Sequence, residues 1–148
     1  MPNKLIAYCG LYCGLYCGAC SFKVAFDTNE RDHIECMPAK YEKFRDLPLE
    51  FCPGCRLENQ CGKCEIKDCA EKKEIEFCSQ CNEFPCIKLE NFNNDGIPHH
   101  YEAIKNLLLL KEIGTSEWIA LQRENWECKC GSKYSWYLKK CKKCSSYK

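Results

Sequence analysis

No run of apolar residues approaches the ~18 that a membrane-spanning helix needs, which argues against an integral membrane protein. The segment Met1-Pro2-Asn3-Lys4-Leu5-Ile6-Ala7 has no apolar h-region before the first cysteine, so no secretory signal is expected and the chain reads as cytoplasmic. Net charge is nearly absent. Twenty-two Lys and Arg against 21 Asp and Glu leave +1, which excludes a polyanion binder of high overall charge. There is no H-E-x-x-H, no Walker loop, no G-x-G-x-x-G and no Ser/His/Asp set, so the commonest motif-bearing enzyme classes have no foothold. The ferredoxin run C-x2-C-x2-C-x3-C-P is missing too. With 12% aromatic and 45% hydrophobic residues, the composition also argues against disorder.

Cysteine is what the sequence has in excess: 17 of its 148 residues, above the ~8–10% that marks an unusual scaffold. The length suits one domain, or one domain with a small module attached. Disulfides belong to oxidising compartments, and both the odd cysteine count and the missing signal argue against them. The spacings favour metal. Five pairs are C-x-x-C, namely Cys17/Cys20, Cys52/Cys55, Cys61/Cys64, Cys78/Cys81 and Cys141/Cys144, and Cys128/Cys130 is C-x-C. Two sulfurs two residues apart point from one tight turn at a single ion, and zinc gathers four thiolates tetrahedrally at about 2.3 Å. Zinc is the default, with about three ions expected. An iron–sulfur cluster, which accepts the same four thiolates, is the alternative. Cys13-x3-Cys17-x2-Cys20 has the spacing of the cluster motif in radical S-adenosylmethionine enzymes, but a chain this short cannot supply the barrel they need.

Along the chain, residues 8–20 repeat Tyr-Cys-Gly-Leu, with glycines that permit tight turns around an ion. Ile34, Met37, Tyr41 and Phe44 follow a helical 3-4-3 spacing over 30–45, broken or restarted at Pro38, with Cys36 beside the stripe as a buried or idle thiol. Cys61-x2-Cys64-x4-Cys69 and Cys78-x2-Cys81-x4-Cys86 share one spacing and read as two copies of a knuckle plus a third sulfur. Pro85 suits the first position of a helix to about Phe92, which places Cys86 in its first turn as a ligand or a reactive thiolate. A clear helix is expected over 99–113. Gly114 would stop it, and Thr115 or Ser116 would cap a second helix through Trp118, Ile119 and Leu121. This αα-hairpin would be the hydrophobic lid of the metal-stapled part. His99 and His100 read as helix-start or surface residues, and His33 has no motif around it.

Residues 127–148 read as a zinc ribbon: Cys128-Lys-Cys130-Gly, then Cys141-Lys-Lys-Cys144 ten residues on, joined by a β-hairpin carrying Tyr134, Trp136 and Tyr137 on its strands. So short a segment cannot fold on apolar burial alone, so bound metal would supply its folding energy. Seven lysines (129, 133, 139, 140, 142, 143, 148) against Glu127 give it +6, leaving −5 for residues 1–126. Basic charge with aromatics is a nucleic-acid pattern. Lysines beside thiolates also serve to keep them deprotonated.

Tyr12-Cys13-Gly14-Leu15-Tyr16-Cys17-Gly18-Ala19-Cys20, Cys52-Pro-Gly-Cys55, Cys64-Glu-Ile-Lys-Asp-Cys69-Ala70 and Phe77-Cys78-Ser-Gln-Cys81-Asn-Glu-Phe-Pro-Cys86 together resemble a bacterial and archaeal family catalogued as domain of unknown function 3795. His100, Asn106-Leu107, Glu112-Ile113-Gly114 and Glu117-Trp118-Ile119 look like that family as well, so the resemblance spans about residues 5–121. It implies a small, Cys-rich, zinc-binding cytoplasmic protein of no established activity. Cys9, Cys36 and Cys61 look additional to its pattern, and the ribbon is an appendage.

The expected fold is therefore small and mixed but mainly α: a Cys-rich, metal-stapled domain over 1–126 with an αα-hairpin, plus a short β zinc ribbon over 127–148. One shell is assigned to Cys17, Cys20, Cys52 and Cys55, a second to Cys64, Cys69, Cys78 and Cys81, and the tail shell to Cys128, Cys130, Cys141 and Cys144, with Cys13 and Cys86 in reserve. All-thiolate zinc sites are closed and structural, so the leading function is a non-catalytic, metal-stabilised module that binds protein or nucleic acid. The alternatives are a thiol- or iron–sulfur-based redox protein or enzyme, and metal storage or sensing.

Overall fold

The computed structural model describes residues 13–52, 54 and 63–148; Cys9, Cys55 and Cys61 lie outside them. Among the described residues the protein is mainly helical. Its α-helices are α1 (Ser21–Thr28), α2 (Asp32–Glu35), α3 (Glu65–Lys72), α4 (Ile87–Asn93), α5 (Ala103–Ile113) and α6 (Thr115–Asn125), with tighter 3₁₀ segments at Cys17–Ala19, Ala39–Phe44, Cys78–Gln80 and Pro98–Glu102. Two compact units emerge. Described residues 13–17, 54 and 63–120 form the first, and 18–52 with 121–148 the second. No helix among the described residues is long and apolar enough to cross a membrane.

The first unit is built on α5. Its sequence places Ala103, Leu107 and Leu110 on one stripe, and all three are buried. This face packs on α4 and on the turns at 78–80 and 98–102, while α3 packs on α4. Phe77, Leu89 and Trp118, each at most 1% exposed, are the largest apolar side chains of the interior. The Cys13-Gly14-Leu15-Tyr16 strip of the tandem repeat is buried too, and the Tyr16 ring meets Trp118 edge-on at 6.2 Å. Glycine is required at position 14. Its φ is +85°, and a Cβ there would lie 2.8 Å from both the Ala103 carbonyl oxygen and Leu107 Cγ.

Helix ends differ from the expected pattern in instructive ways. Asn93, from the end of α4, accepts the Ile104 N–H on its Oδ1 at 3.0 Å and so caps α5 from another element. The expected cap at Thr115 or Ser116 falls instead to Gly114. Its N–H bonds the Leu110 carbonyl at 2.9 Å, and its carbonyl accepts the Trp118 N–H at 3.0 Å, so one residue ends α5 and opens α6. The packing of α5 is mainly against α4 and the two turns. Pro85 stands two residues before α4, and Cys86 is the N-cap rather than a first-turn residue. Cys64 is the N-cap of α3 and Cys69 a position inside it, while Cys61, the other half of the Cys61/Cys64 knuckle, lies outside the described residues.

In the second unit the 30–45 stripe is two pieces, α2 and the Ala39–Phe44 segment, with Pro38 between them. Ile34 and Met37 are buried. Tyr41 and Phe44 close on Phe22 with ring centroids 6.0 and 5.1 Å away. Arg31 Nη1 donates to the carbonyls of Arg45 and Leu47 at 2.9 and 2.8 Å, fixing the exit from this segment. Cys36 is exposed, which removes the buried alternative for that thiol. The tail contains no strand; the expected β-hairpin is reduced to isolated antiparallel bridges at Glu127–Lys133 and Lys140–Tyr147. Trp136 and Tyr137 lie in a bend. The tail's backbone groups are used to turn the chain around its cysteines, and the ladder is lost to those turns.

Candidate metal centre

The four tail cysteines come from two similar turns. In the first, Gly131 N–H bonds the Cys128 carbonyl at 2.8 Å and Cys128 N–H bonds the Ser132 carbonyl at 2.7 Å. In the second, Ser145 N–H bonds the Cys141 carbonyl at 2.9 Å and Cys141 N–H bonds the Ser146 carbonyl at 2.8 Å. Each turn closes on a residue of left-handed backbone, Gly131 at φ +89° and Ser145 at φ +60°. The result brings Cys128, Cys130, Cys141 and Cys144 together with all four sulfurs within 4.8 Å of one another. The Cys128–Cys144 and Cys130–Cys141 Sγ distances are both 3.4 Å, and Cys130–Cys128 is 3.6 Å. Four thiolates at about 2.3 Å from one tetrahedral ion stand about 3.8 Å apart, so this quartet can hold a metal ion. Among the described residues it is the one group of three or more His, Cys, Asp or Glu whose ligand atoms meet that mutual limit.

The surroundings favour the thiolates of two of these residues, Cys141 and Cys144. Backbone N–H groups of Cys144 and Lys143 and the Cys130 thiol stabilise the Cys141 thiolate, bringing it down to about 6 despite its burial. The Ser146 hydroxyl and N–H lower Cys144. Cys128 moves the other way: the Cys130 N–H and Tyr134 hydroxyl favour its thiolate, but burial and the neighbouring thiols Cys144 and Cys130 outweigh them. Tyr134, bonded to Cys128, is pushed up to about 12. Ser132 and Ser146 hydroxyls lie 3.4 and 3.3 Å from the sulfurs of Cys130 and Cys144 and extend the shell outward.

The tail is fastened to the helices of its own unit. Trp136 N–H donates to the Ala19 carbonyl at 2.9 Å, Lys142 pairs with Asp32, and His33 Nδ1 lies 2.7 Å from Ser135 Oγ with both residues fully buried. His33 Nε2 is 3.4 Å from the Glu30 carboxylate without hydrogen-bond geometry. Burial lowers the His33 pKa against the pull of Glu30. No motif announces this pair, whose members are 102 positions apart. His100, by contrast, stacks on Phe92 at 3.8 Å and pairs with Asp95 at 2.8 Å, a structural role at the start of α5.

A second gathering of thiols lies wholly within the first unit. Cys69 from α3, Cys78 and Cys81 from the 78–81 turn, and Cys86 at the head of α4 line one cavity of about 280 Å³. Cys64 is within electrostatic reach of Cys78. Burial, then Cys86, Cys69, Cys81 and Cys64, push Cys78 up to about 12. The Glu83 N–H and the Lys73 ammonium hold Cys81 down. Of the remaining assigned ligands, Cys13 and Cys17 are buried and Cys20 and Cys52 are half-buried. Cys55 falls outside the described residues.

The stretch that carries this thiol-lined cavity matches a known family. The chain belongs to DUF3795, a family of proteins of unknown function, whose profile matches residues 5–91. The match ends within α4, short of residue 121. It takes in Cys64, Cys69, Cys78, Cys81 and Cys86 and leaves the tail quartet outside. No curated protein and no solved structure matches the chain.

Proposed function

We propose that this member of DUF3795 is a cytoplasmic, metal-stapled interaction module whose C-terminal ribbon binds one structural zinc ion through Cys128, Cys130, Cys141 and Cys144. In this reading residues 127–148 are the ribbon module and 1–126 the Cys-rich domain that carries it. The observation behind it is the mutual 4.8 Å limit met by four sulfurs. Zinc is the ion because the donors are all thiolate and the shell is closed, which also makes the role structural. The interior of the tail is small, formed by Cys128, Tyr134 and Cys141 with Trp126 against them, so the ion stabilises what apolar burial cannot. Cys17, Cys20, Cys52 and Cys55 are retained as a further shell on spacing alone, with Cys13 beside them in reserve.

The partner that fits is a protein. The tail lysines are largely engaged internally: Lys139 and Lys148 lie 5.9 and 4.2 Å from the Trp126 ring centre, and Lys140 lies 5.4 Å from that of Tyr147. Lys133 pairs with Glu127 and Lys142 with Asp32. Aromatic faces covered by the protein's own ammonium groups are poor stacking platforms for bases.

Elemental analysis of natively purified full-length protein tests the zinc reading. Zinc that drops by one equivalent in Cys130→Ser supports it. Native protein whose zinc content is unchanged by Cys130→Ser, or that contains no zinc, defeats it.

A further inference from the structure

The two thiol gatherings differ in spacing, and the difference decides what each can hold. In the ribbon the sulfurs nearly touch, as one ion demands. Around the first-unit cavity four cysteines face a common space, yet no three of them fall within the 4.8 Å mutual limit that the ribbon quartet meets. The space is large. A cavity needs only about 10–15 Å³ to admit one water-sized species, and this one measures about 280 Å³. A polynuclear centre reconciles wide sulfurs with a shared void, because each thiolate binds a different metal atom and the core fills the middle.

We propose that this cavity holds an iron–sulfur cluster on the thiolates of Cys69, Cys78, Cys81 and Cys86. Cys64, read from spacing as a ligand, becomes a bystander, and Cys86, read as a reserve, becomes a ligand. The walls suit a cluster. Ile75, Phe84 and Leu89 give the cavity an apolar wall, and Lys73, Glu83 and Lys88 line it with charged groups. One sulfur is already supported by donors: Cys81 Sγ accepts from Lys73 Nζ at 3.1 Å and from Glu83 N–H at 3.5 Å. Hydrogen bonds to ligand sulfur are a recurring means of holding a cluster and setting its potential. The assignment is independent of zinc in the ribbon.

The test is made on full-length protein prepared without oxygen. Iron and acid-labile sulfide are expected in similar amounts, with broad visible absorption that bleaches on reduction with dithionite. Cys86→Ser and Cys78→Ser should each lose nearly all of both. Serine is a favoured N-cap, so Cys86→Ser keeps α4 while removing the thiol. Cys64→Ser should retain the cluster, and Cys130→Ser should retain it while losing zinc, which separates this site from the ribbon. Three results would overturn the proposal: no iron or sulfide before or after reconstitution with ferrous iron and sulfide, iron uptake unchanged in Cys86→Ser, or loss in Cys64→Ser with retention in Cys86→Ser.

Discussion

Asn106 reaches from α5 to donate its Nδ2 to the Gly14 carbonyl at 3.0 Å, tying the tandem Tyr-Cys-Gly-Leu repeat to the central helix of its unit. The same glycine leaves no room for a methyl group against Ala103 and Leu107. Gly14→Ala combines left-handed backbone with a clash, and is expected to cost about 2–4 kcal/mol. Asn106→Ala removes only the hydrogen bond, about 1 kcal/mol. Chemical denaturation of both variants checks the order; equal losses would mean that the close approach does not constrain the strip.

Asn93 supplies the cap that α5 lacks locally. Asn93→Ala should lower stability by about 1 kcal/mol and Asn93→Asp by less, since a carboxylate also accepts the Ile104 N–H. Thermal melts of the two variants side by side distinguish a capping role from simple loss of a surface amide.

His33 gives the second unit a pH dependence of definite sign. Its ordinary value is 6.5, and burial lowers it in the fold. The unfolded chain therefore takes up a proton near pH 6.5 while the folded protein resists it. Above pH 6.5 the residue costs nothing. As pH falls below 6.5, stability declines by at most about 1.4 kcal/mol per pH unit until the folded histidine itself titrates. His33→Gln should flatten this part of the curve. Acid release of thiolate-bound metal affects both proteins, so the readout is the difference between their stability-versus-pH curves between pH 5 and 7.

Nucleic-acid binding by the tail is expected to be absent. Titration of fluorescently tagged duplex and single-stranded oligonucleotides at low and moderate salt should show no association. Binding that weakens steeply with salt would reinstate the lysines as phosphate contacts.

The meeting of the four tail cysteines was legible because both pairs, Cys128/Cys130 and Cys141/Cys144, have short spacings and sit on local turns, and their sulfurs come within 4.8 Å of one another. The α5 stripe was legible for a similar reason: Ala103, Leu107 and Leu110 recur at helical period. The expected strands at Trp136 and Tyr137 failed because aromatic preference is weaker than the demand of the cysteine turns on the backbone. The place of Cys86 was hidden by a boundary. Pro85 suggested a helix start two positions too early, which hid the cysteine's place as N-cap, facing the thiols of α3 and the 78–81 turn. His33 with Ser135, and Asn106 with Gly14, join residues far apart in the chain, and no local pattern encodes such meetings.

The ammonium groups of Lys139 and Lys148 beside the Trp126 ring have a practical consequence. An indole's emission colour responds to nearby positive charge, and these two cations stay in place only while the tail keeps its shape. With Trp118 sealed inside the other unit and Trp136 in the tail along with Trp126, tryptophan emission becomes a native optical gauge of whether the last two dozen or so residues are assembled, with no label attached.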